Sequence, residues 1–322
     1  MTAPTERRPR LLIAEPRDFS AEALGLLRDA AEVELDASVP LTRALADYDV
    51  LWLRLGHRLD AEALAAARRC WVVATPVTGL DHIDLAACAA RGVRVLSLRG
   101  ESAFLRQVRA TAEHTLALAL ALLRHLPAAH GAVLQGHWER DRWRGSELFE
   151  KTAGLVGMGR LGTITAGYLR ALGMRVLGYD PRPDFPHEAA ERVETLEALL
   201  AQADLISLHL SYSPETHHLL GAAQLAAMKP GAVLINTARG GVVDGAALLA
   251  ALRSGRLAGA ALDVLEGEPQ IGADHPLVAY ARDHDNLVLT PHLGGNTRES
   301  FVKTEVFLAG KVVAALREGR GQ

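Results

Sequence analysis

A chain of 322 residues exceeds the usual size of a single hydrophobic core, so its length favours two domains. Hydrophobic residues make up 49% and charged residues 23%, a composition that excludes a disordered protein. The formal net charge of -3, with no long basic run, gives no electrostatic footprint for nucleic acid. No stretch approaches the roughly 18 to 20 apolar residues of a membrane span. We therefore expect neither a nucleic acid nor a membrane partner.

The first hundred residues alternate short β-branched runs with Ala- and Leu-rich stretches at helical spacing, which predicts parallel α/β structure. Four strands are predicted, over residues 10–14, 50–53, 71–74 and 93–96. A long apolar helix is predicted over residues 111–126. Residues 130–149, rich in Trp, Arg and Gly, are predicted to form an irregular connection.

A second alternating series predicts six further strands, as many as a dinucleotide-binding sheet has. They cover residues 153–157, 175–179, 204–209, 232–236, 257–264 and 287–290. Residues 297–317 then show helical apolar spacing, and we expect this helix to return and pack on the first domain.

The first strand of the second series runs into a turn that contains Gly157, Gly159 and Gly162. A pyrophosphate binds the exposed N–H groups of such a helix start, and side chains at the first two glycines would block its approach. Gly173 is placed to end the helix that follows. The predicted apolar face of this helix consists of Leu161, Ile164, Tyr168, Leu169 and Leu172. Strand, glycines, helix and second strand together predict a dinucleotide site, although the glycines alone are weak evidence.

The strand after this helix ends in Asp180, about twenty residues beyond the glycines. A carboxylate there can accept hydrogen bonds from the adenosine ribose hydroxyls and repel a 2′-phosphate, which predicts NAD (NADH) as the cofactor. The guanidinium of Arg182 could attract a phosphate, and NADP is therefore the less favoured alternative.

Three polar residues follow strands of the second series: Arg239, Glu268 and His292. Open α/β sheets bind ligands outside the carboxyl ends of their strands. Arg supplies a planar two-pronged donor for a substrate carboxylate, and His supplies a proton carrier near neutral pH for hydride transfer at a carbinol carbon. Glu268 could stabilise the imidazolium. Taken singly, each residue has a more ordinary interpretation as an exposed Arg, a solvated Glu or a backbone-bonded His.

Several stretches together resemble the D-isomer-specific 2-hydroxyacid dehydrogenase family, which includes phosphoglycerate, glycerate/hydroxypyruvate and D-lactate dehydrogenases. The resemblance covers nearly the whole chain. It rests on residues 145–148, 151–154, 228–231, 236–244, 261–263, 268–269 and 290–295. It implies an NAD-dependent oxidoreductase that acts on CH-OH groups, with reversible hydride transfer between nicotinamide C4 and C2 of a 2-hydroxy or 2-keto acid.

The resemblance also implies the fold: α/β, with two Rossmann-like domains that have parallel sheets. The NAD-binding domain, residues 107–292, is inserted into a discontinuous flavodoxin-like substrate (catalytic) domain, residues 1–106 plus 293–322. A homodimer is implied as well, since the long apolar helix commonly lies at a dimer contact in the family. We interpret His114, which this helix carries, as a packing or interface residue rather than a catalytic one.

The resemblance assigns the site residue by residue. Arg239 is implied to hold the substrate carboxylate, Glu268 to tune the histidine, and His292 to exchange the proton as acid and base. Asp263 is implied to meet the nicotinamide carboxamide. The full set of implied cofactor contacts is Thr78, Gly157, Gly159, Arg160, Leu161, Gly162, Asp180, Leu210, Thr237, Ala238, Arg239, Asp263, His292, Gly294 and Gly295.

Substrate binding is predicted for Pro76, Val77 and Thr78 together with Arg239. Val77 replaces a glycine that is usual in the substrate loop of the family, so the identity of the substrate does not carry over. A second departure is a loop, longer than the usual connection, that carries Arg99, Arg106 and Arg109. These arginines could receive a second anionic group of the substrate, phosphate or carboxylate. A solvated or subunit-contacting basic loop explains them equally well.

Cys70 and Cys88 are too few for a disulfide framework and too far apart for a CxxC site. We expect both to be reduced, which suits the cytoplasm, and no metal is predicted. The apolar run at residues 11–14 is too short for a signal peptide.

Two alternative functions stay open. Within the enzyme class, the chain could be a D-3-phosphoglycerate dehydrogenase without a regulatory domain. From a different class, it could be a catalytically idle NAD(H)-sensing binding protein similar to the C-terminal-binding co-repressors, which keep the Arg, Glu and His set. The chain contains nothing that resembles a partner-docking tail, which disfavours the second alternative.

Overall fold

The computed structural model describes residues 7–320, which divide into two compact units. One unit comprises the described residues up to Val108 together with those from Thr297 onward, and the other is Arg109–Asn296. The second unit is therefore an insertion in the first, and both contain parallel α/β structure, which confirms the predicted fold class. Residues 1–6 and 321–322, which the predicted domain limits include, lie outside the described residues.

The first unit contains five parallel strands, β1 Arg10–Ile13, β2 Glu32–Leu35, β3 Val50–Trp52, β4 Val72–Ala74 and β5 Arg94–Leu96. Their order in the sheet, β2-β1-β3-β4-β5, is that of flavodoxin-like folds. The four predicted strands are confirmed. Strand β2 was not predicted because it lies at the sheet edge, alternates acidic with apolar residues and buries none of its side chains fully.

The helices of the first unit that precede the insertion are α1 Ala21–Ala30, α2 Leu41–Asp47, α3 Ala61–Leu64, α4 Leu85–Ala90 and α5 Ser102–Leu105. Three of them begin at a short polar residue whose side chain accepts a hydrogen bond from a backbone N–H of the first turn. These N-cap residues are Ser20, Asp60 and Asp84.

The second unit contains seven parallel strands in the order β12-β11-β10-β9-β6-β7-β8. They are β6 Thr152–Val156, β7 Arg175–Tyr179, β8 Glu191–Arg192, β9 Leu205–Leu208, β10 Val233–Asn236, β11 Gly259–Leu262 and β12 Leu287–Leu289. The chain winds outward from β6 in both directions, as in a Rossmann sheet, and the topological switch point lies between β6 and β9. All six predicted strands are confirmed, whereas β8 is too short to give a periodic signal.

The helices of the second unit are α6 Ala110–Leu123, α7 Leu126–Leu134, α8 Arg160–Ala171, α9 Leu196–Leu200, α10 Ala222–Ala227, α11 Gly245–Arg253 and α12 Pro276–Asp283. The single helix predicted over 111–126 ends at Leu123, because His125 takes a left-handed conformation (φ 51°). A new helix then begins with Pro127 in its first turn. The prediction of irregular structure was therefore wrong for residues 130–134, which are helical.

Helix α8 buries a different face from the predicted one. Its buried residues are Gly162, Thr165, Ala166 and Leu169, so only Leu169 of the predicted apolar face is buried. The reason is the close packing of the helix start on the glycine turn, where a β-carbon on Gly162 would lie 2.1 Å from the carbonyl oxygen of Gly157. The predicted helix end at Gly173 is confirmed, since this residue has a φ of 79°.

The last helix, α13 Arg298–Glu318, packs on the sheet of the first unit, as predicted. Its buried apolar residues are Leu308, Ala309, Val312 and Ala315. Glu305, on the same helix, is fully buried, forms an ion pair with Arg54 and accepts a hydrogen bond from the backbone N–H of Ser20 at 2.7 Å. The helix therefore holds both the sheet and the start of α1.

Both cysteines are free and buried in the first unit. Burial raises the pKa of Cys70 to about 12 and that of Cys88 to about 11. Thiols with such pKa values stay protonated near neutral pH and are weak nucleophiles.

Among residues 7–320, no single helix has the length and apolar composition needed to cross a membrane. Two helical stretches, Ser102–Leu123 and Leu126–Leu134, reach that length and composition only when taken together, and they are bent by 61° at their junction.

Truncation of Leu308 to Ala should lower the free energy of unfolding of the first unit by about 2–5 kcal/mol, because it leaves a cavity between α13 and the sheet. The matched control is Val302→Ala on the same helix, where the side chain is 42% exposed and the expected loss is under about 0.5 kcal/mol. Urea denaturation followed by circular dichroism measures both. Equal effects of the two substitutions would contradict the packing described for α13.

Candidate active site

Most of the predicted site residues lie at the carboxyl edge of the second sheet. Because all strands of this sheet are parallel, the residues that follow them lie at one edge. These residues are Gly157 after β6, Asp180 after β7, Leu210 after β9, Thr237, Ala238 and Arg239 after β10, Asp263 and Glu268 after β11, and His292, Gly294 and Gly295 after β12. The predicted residues Pro76, Val77, Thr78, Arg99 and Arg106 belong to the first unit, and Arg109 begins the second.

The turn between β6 and α8 has the backbone that a dinucleotide requires. Gly157 has a φ of 94°, and a β-carbon there would lie 2.6 Å from the carbonyl oxygen of His209 and 3.0 Å from a methyl group of Leu210. Gly159 precedes the first turn of α8, which carries Arg160 and Leu161, and it has no side chain to cap that helix. A β-carbon on Gly159 would meet only the Arg182 guanidinium, at 3.8 Å. The open space there and the helix start fit a pyrophosphate.

Asp180 is 6% exposed at the end of β7, and its carboxylate is fully engaged. It accepts a hydrogen bond from the backbone N–H of Met158 at 2.8 Å, which fixes the glycine turn on the strand. The guanidinium of Arg182 binds both carboxylate oxygens, with Nε 2.9 Å from Oδ1 and Nη2 2.8 Å from Oδ2. Burial raises the pKa of Asp180, but the bonds from Arg182 and Met158 outweigh it, so the pKa lies below its usual value.

The side chains of His292 and Glu268 form a hydrogen-bonded pair. Glu268 Oε1 lies 2.9 Å from His292 Nδ1, and both side chains are about one-third exposed. The backbone of His292 is left-handed (φ 56°), which is uncommon for a residue with a β-carbon. Its N–H donates to the carbonyl oxygens of Asp263 at 2.8 Å and Thr290 at 3.0 Å. The ring is thus held at Nδ1 by Glu268, and its main chain is held by the ends of β11 and β12.

The buried carboxylate of Asp263 holds the turn that carries His292. Its Oδ1 accepts hydrogen bonds from the backbone N–H of Leu293 at 2.7 Å and the hydroxyl of Thr290 at 2.6 Å. Its Oδ2 accepts from the backbone N–H of Gly294 at 2.7 Å. Burial raises the pKa of Asp263, but these bonds and one from His114 outweigh it, so the pKa lies below its usual value. The carboxylate stays charged and fixes the turn.

His114 has a polar role that sequence analysis missed. From helix α6 its Nε2 reaches Oδ1 of Asp263 at 3.1 Å and the hydroxyl of Thr290 at 3.0 Å. The interpretation as a packing or interface residue therefore omitted its contact with Asp263, the carboxylate that fixes the turn around His292. A signal was present in the sequence, because a His on an otherwise apolar helix needs a polar partner when it is buried.

Arg239 lies on a short loop whose backbone is tightly fixed. The side chain of Asn236 donates to the carbonyl oxygen of Arg239 at 2.9 Å and accepts from the N–H of Ala238 at 3.0 Å. A β-carbon on Gly240 would lie 2.0 Å from the carbonyl carbon of Leu265. The loop of Arg239 is therefore packed against the segment that leads to Glu268, which brings both predicted catalytic residues to one part of the edge.

The hydroxyl groups of Thr237 and Thr115 connect the loop of Arg239 to helix α6. Thr237 is buried, and its hydroxyl lies 2.7 Å from that of Thr115, which itself donates to the carbonyl oxygen of Thr111 at 2.8 Å. A β-carbon on Gly294 would lie 3.1 Å from the Thr111 methyl group. Helix α6 thus contacts the loops after both β10 and β12.

The predicted substrate loop of the first unit follows β4. Pro76 is buried and Thr78 is exposed. Val77 is half-buried and packs against the apolar cluster on one face of the first sheet. The carbonyl oxygen of Val77 accepts a hydrogen bond from the N–H of Leu98 at 3.0 Å. The side chain that replaces the usual glycine thus packs into the unit that carries it. The three arginines at 99, 106 and 109 are all exposed.

One cluster of metal-ligand side chains occurs within residues 7–320, although no metal was predicted. Ligand atoms of His217, His218 and Glu266 lie within 4.8 Å of one another, and His218 Nε2 is 2.8 Å from Glu266 Oε2. The cluster is half-exposed to exposed, and the Glu266–His218 pair joins the loop before α10 to the loop that precedes Glu268.

Comparison with known proteins gives the family. The profile of the NAD binding domain of D-isomer specific 2-hydroxyacid dehydrogenases matches residues 116–294. A glyoxylate reductase from Aeropyrum pernix is 37% identical over 323 residues, which cover 96% of this chain and 93% of that protein. The chain belongs to the D-isomer-specific 2-hydroxyacid dehydrogenase family, as its motifs predicted.

Relatives within the family differ in their substrates. A D-3-phosphoglycerate dehydrogenase from Archaeoglobus fulgidus is 37% identical over 310 residues, which cover 94% of this chain and 56% of that protein. The chain thus spans about half the length of the curated phosphoglycerate dehydrogenases it matches. The crystal structure of D-lactate dehydrogenase from Aquifex aeolicus, complexed with NAD and lactic acid, has a TM-score of 0.83 at 30% identity and covers 97% of this chain and 96% of its own.

Replacement of Asp263 by Asn should lower the free energy of unfolding of the second unit by roughly 1–3 kcal/mol at neutral pH, because the amide loses the charge that four donors bind. The folded-state pKa of Asp263 is below its unfolded value. Its stabilising contribution is therefore complete above the unfolded pKa, about 4, and is lost as the pH falls through the folded pKa.

Denaturation curves of the wild type and of Asp263→Asn at a series of pH values test this expectation. The difference between the two proteins should shrink as the pH falls below about 4. Asp285→Asn, at an exposed site of the same unit, is the control and should change stability by less than about 0.5 kcal/mol. A difference that persists unchanged in acid would show that Asp263 acts through shape rather than charge.

Proposed function

We propose that this protein is an NAD(H)-dependent 2-hydroxyacid dehydrogenase that interconverts a 2-hydroxy acid and its 2-keto partner. The observation that carries the proposal is the pair of His292 Nδ1 and Glu268 Oε1, 2.9 Å apart, at the sheet edge that also holds the glycine turn and Arg239. Family membership makes an oxidoreductase acting on CH-OH groups the first expectation, and the intact pair supports it.

His292 is the proposed proton carrier. Because Glu268 binds Nδ1, the other ring nitrogen, Nε2, is available to exchange a proton with the substrate oxygen. During reduction, protonated His292 donates the proton that converts the C2 carbonyl oxygen into a hydroxyl, and during oxidation neutral His292 accepts it. The bound nicotinamide supplies the hydride to C2 or accepts it from C2. Glu268 stabilises the charged ring and fixes its orientation.

Arg239 is the proposed ligand of the substrate carboxylate. Its guanidinium can form two parallel hydrogen bonds with a planar carboxylate, and its backbone is fixed by Asn236. The contact of its loop with the Leu265 backbone keeps it beside the segment that carries Glu268. This fixed arrangement supports a role in orienting C2 of the substrate for reaction. The assignment of Pro76, Val77 and Thr78 to substrate binding stays a prediction.

The glycine turn and α8 are proposed to hold the pyrophosphate of the cofactor, at Gly159, Arg160 and Leu161. Asp180 at the end of β7 supports NAD, and the proximity of Leu210 to Gly157 supports its place beside the adenosine. The predicted contacts of Thr237, Ala238, Gly294 and Gly295 with the cofactor, and that of Asp263 with the carboxamide, stay predictions. A cytoplasmic location also stays a prediction.

The activity test is NADH oxidation with a panel of 2-keto acids that includes glyoxylate, pyruvate and phosphohydroxypyruvate. At least one should be reduced. His292→Gln should lower kcat by about 10²- to 10⁴-fold, since it removes the proton carrier. Glu268→Gln should lower kcat less, because the amide can still bind Nδ1 of His292 but brings no negative charge beside the ring. His284→Gln, at an exposed histidine of the same unit, is the matched control and should leave kcat unchanged.

The same panel separates the alternatives. NADH binding without reduction of any keto acid would contradict the proposal and favour an NAD(H)-sensing binding protein. Marked preference for phosphohydroxypyruvate would favour a phosphoglycerate dehydrogenase. It would also support a second anionic site at Arg99, Arg106 and Arg109, whereas equal turnover of pyruvate would exclude that site.

A homodimer is proposed as the assembly. Helix α7 has no buried residue, although it is strongly apolar. Its exposed apolar residues continue into the following segment of the second unit: Leu126 at 54%, Val133 at 45%, Leu134 at 74% and Trp138 at 86% exposed. Apolar patches of this kind mark interaction surfaces, and most soluble oligomers are symmetric homo-oligomers. The family resemblance implies a dimer contact on the helix predicted over residues 111–126, which α7 directly follows, and this supports a second copy of this chain as the occupant.

Replacement of Leu134 and Trp138 by Glu should convert the dimer to a monomer, because two charges per subunit would be buried in the contact. Light scattering coupled to gel filtration measures the mass. Leu26→Glu, at an exposed leucine of α1 in the first unit, is the matched control and should leave the dimer intact. A wild-type protein that elutes as a monomer at micromolar concentration would contradict the proposed assembly.

A further inference from the structure

The carboxylate of Asp180 has no acceptor position left for a ribose. Its Oδ1 accepts from the backbone N–H of Arg182 at 3.0 Å and from Nε of the same residue at 2.9 Å. Its Oδ2 accepts from the backbone N–H of Met158 at 2.8 Å and from Nη2 of Arg182 at 2.8 Å. An ionised carboxylate offers about four lone-pair sites, and four donors already occupy them.

A ribose hydroxyl can therefore bind Asp180 only after one of these donors leaves. The Met158 N–H belongs to the glycine turn and is fixed by the fold. The Arg182 guanidinium belongs to a side chain that is 53% exposed, so it can turn into solvent at little cost. Arg182 is thus the donor that a bound dinucleotide displaces, and its side chain then lies beside the 2′ position.

The charges around the Asp180 carboxylate differ from those of a site that rejects the 2′-phosphate of NADP. Rejection relies on a negative charge without a partner, whereas Asp180 is bound in two places by one guanidinium. A second guanidinium is close: Nη2 of Arg192 lies 3.3 Å from the carbonyl oxygen of Arg182 and 3.5 Å from that of Asp180. The exposed carboxylate of Asp184 also acts on Arg182, so the two acidic and two basic groups balance.

Arg182 also adjoins the space above the glycine turn. Its Nη2 is the nearest atom to the position that a β-carbon on Gly159 would occupy, at 3.8 Å. The guanidinium therefore lies between the proposed pyrophosphate site and the carboxylate that binds the ribose. A forked donor in that place matches the geometry of a phosphate monoester.

We propose that Arg182 sets the selectivity between NAD(H) and NADP(H), and that with Arg192 it binds the 2′-phosphate, so that both dinucleotides bind with affinities within about tenfold. The proposal rests on the proposed function for the location of the dinucleotide. It changes the prediction that Asp180 selects NAD, because Arg182 compensates the negative charge that would exclude NADP.

The test uses two fragments that lack nicotinamide, ADP-ribose and 2′-phospho-ADP-ribose, and measures their Kd by isothermal titration calorimetry. The wild type should bind them with Kd values within about tenfold of each other. Arg182→Ala should weaken the phosphorylated fragment at least about tenfold and leave ADP-ribose unchanged or tighter, since Asp180 is then unpaired. Arg182→Lys should give an intermediate loss, because the charge stays and the fork is lost.

Arg175→Ala is the matched control. Arg175 is the first residue of β7, is 52% exposed and, like Arg182, is bound to a carboxylate, in this case that of Glu191. Its removal should not change the ratio of the two Kd values. A wild-type preference for ADP-ribose of more than about a hundredfold would overturn the proposal, as would an equal effect of Arg182→Ala on both fragments.

Fragment binding without any keto acid reduction would contradict only the proposed reaction and leave this proposal standing. Failure of both fragments to bind would overturn the dinucleotide site and this proposal with it. Steady-state kcat/KM values with NADH and NADPH, measured on the same variants, should change in the same ratio as the Kd values.

Discussion

The parallel arrangement of the second sheet is the constraint on which the candidate site depends. Every strand of that sheet ends at the same edge, so residues that are far apart in sequence meet there without any further device. Gly157 and His292 are separated by most of the unit, yet they follow strands of one sheet. The chemistry then depends on how the loops at this edge are fixed.

Buried carboxylates do most of that fixing, and two of them do it differently. Asp263 binds backbone N–H groups of Leu293 and Gly294, so its charge is used to hold the main chain around His292. Asp180 accepts from the backbone N–H groups of Met158 and Arg182, but its other two bonds come from the guanidinium of Arg182, an exposed group that can leave. A carboxylate held by main-chain donors acts as a fixed structural element. A carboxylate held by an exposed guanidinium stays available for a ligand, and its effective charge depends on that partner.

Sequence patterns predicted the sheets well because buried parallel strands are continuous apolar runs, as in Val50–Trp52 and Val72–Ala74. Strands β2 and β8 were missed because they lie at sheet edges, where burial no longer selects the residues. The buried face of α8 was predicted wrongly for a related reason: the apolar count favoured Leu161 and Leu172, whereas close approach to the glycine turn selects small residues such as Gly162 and Ala166. The helical periodicity of a sequence shows where its apolar residues lie, whereas the contact of α8 with the glycine turn depends on the size of the side chains.

The contact between His292 and Glu268 was predictable, since a His and a Glu after neighbouring strands of a parallel sheet are brought together by topology. Side-chain partners were not predictable in the same way. Nothing in the order of residues says that Arg182 turns back to bind Asp180 or that His114 reaches Asp263 across the length of the unit. Such contacts depend on rotamers and on the packing of whole elements. The proposed cofactor selectivity depends on one such contact, that between Arg182 and Asp180.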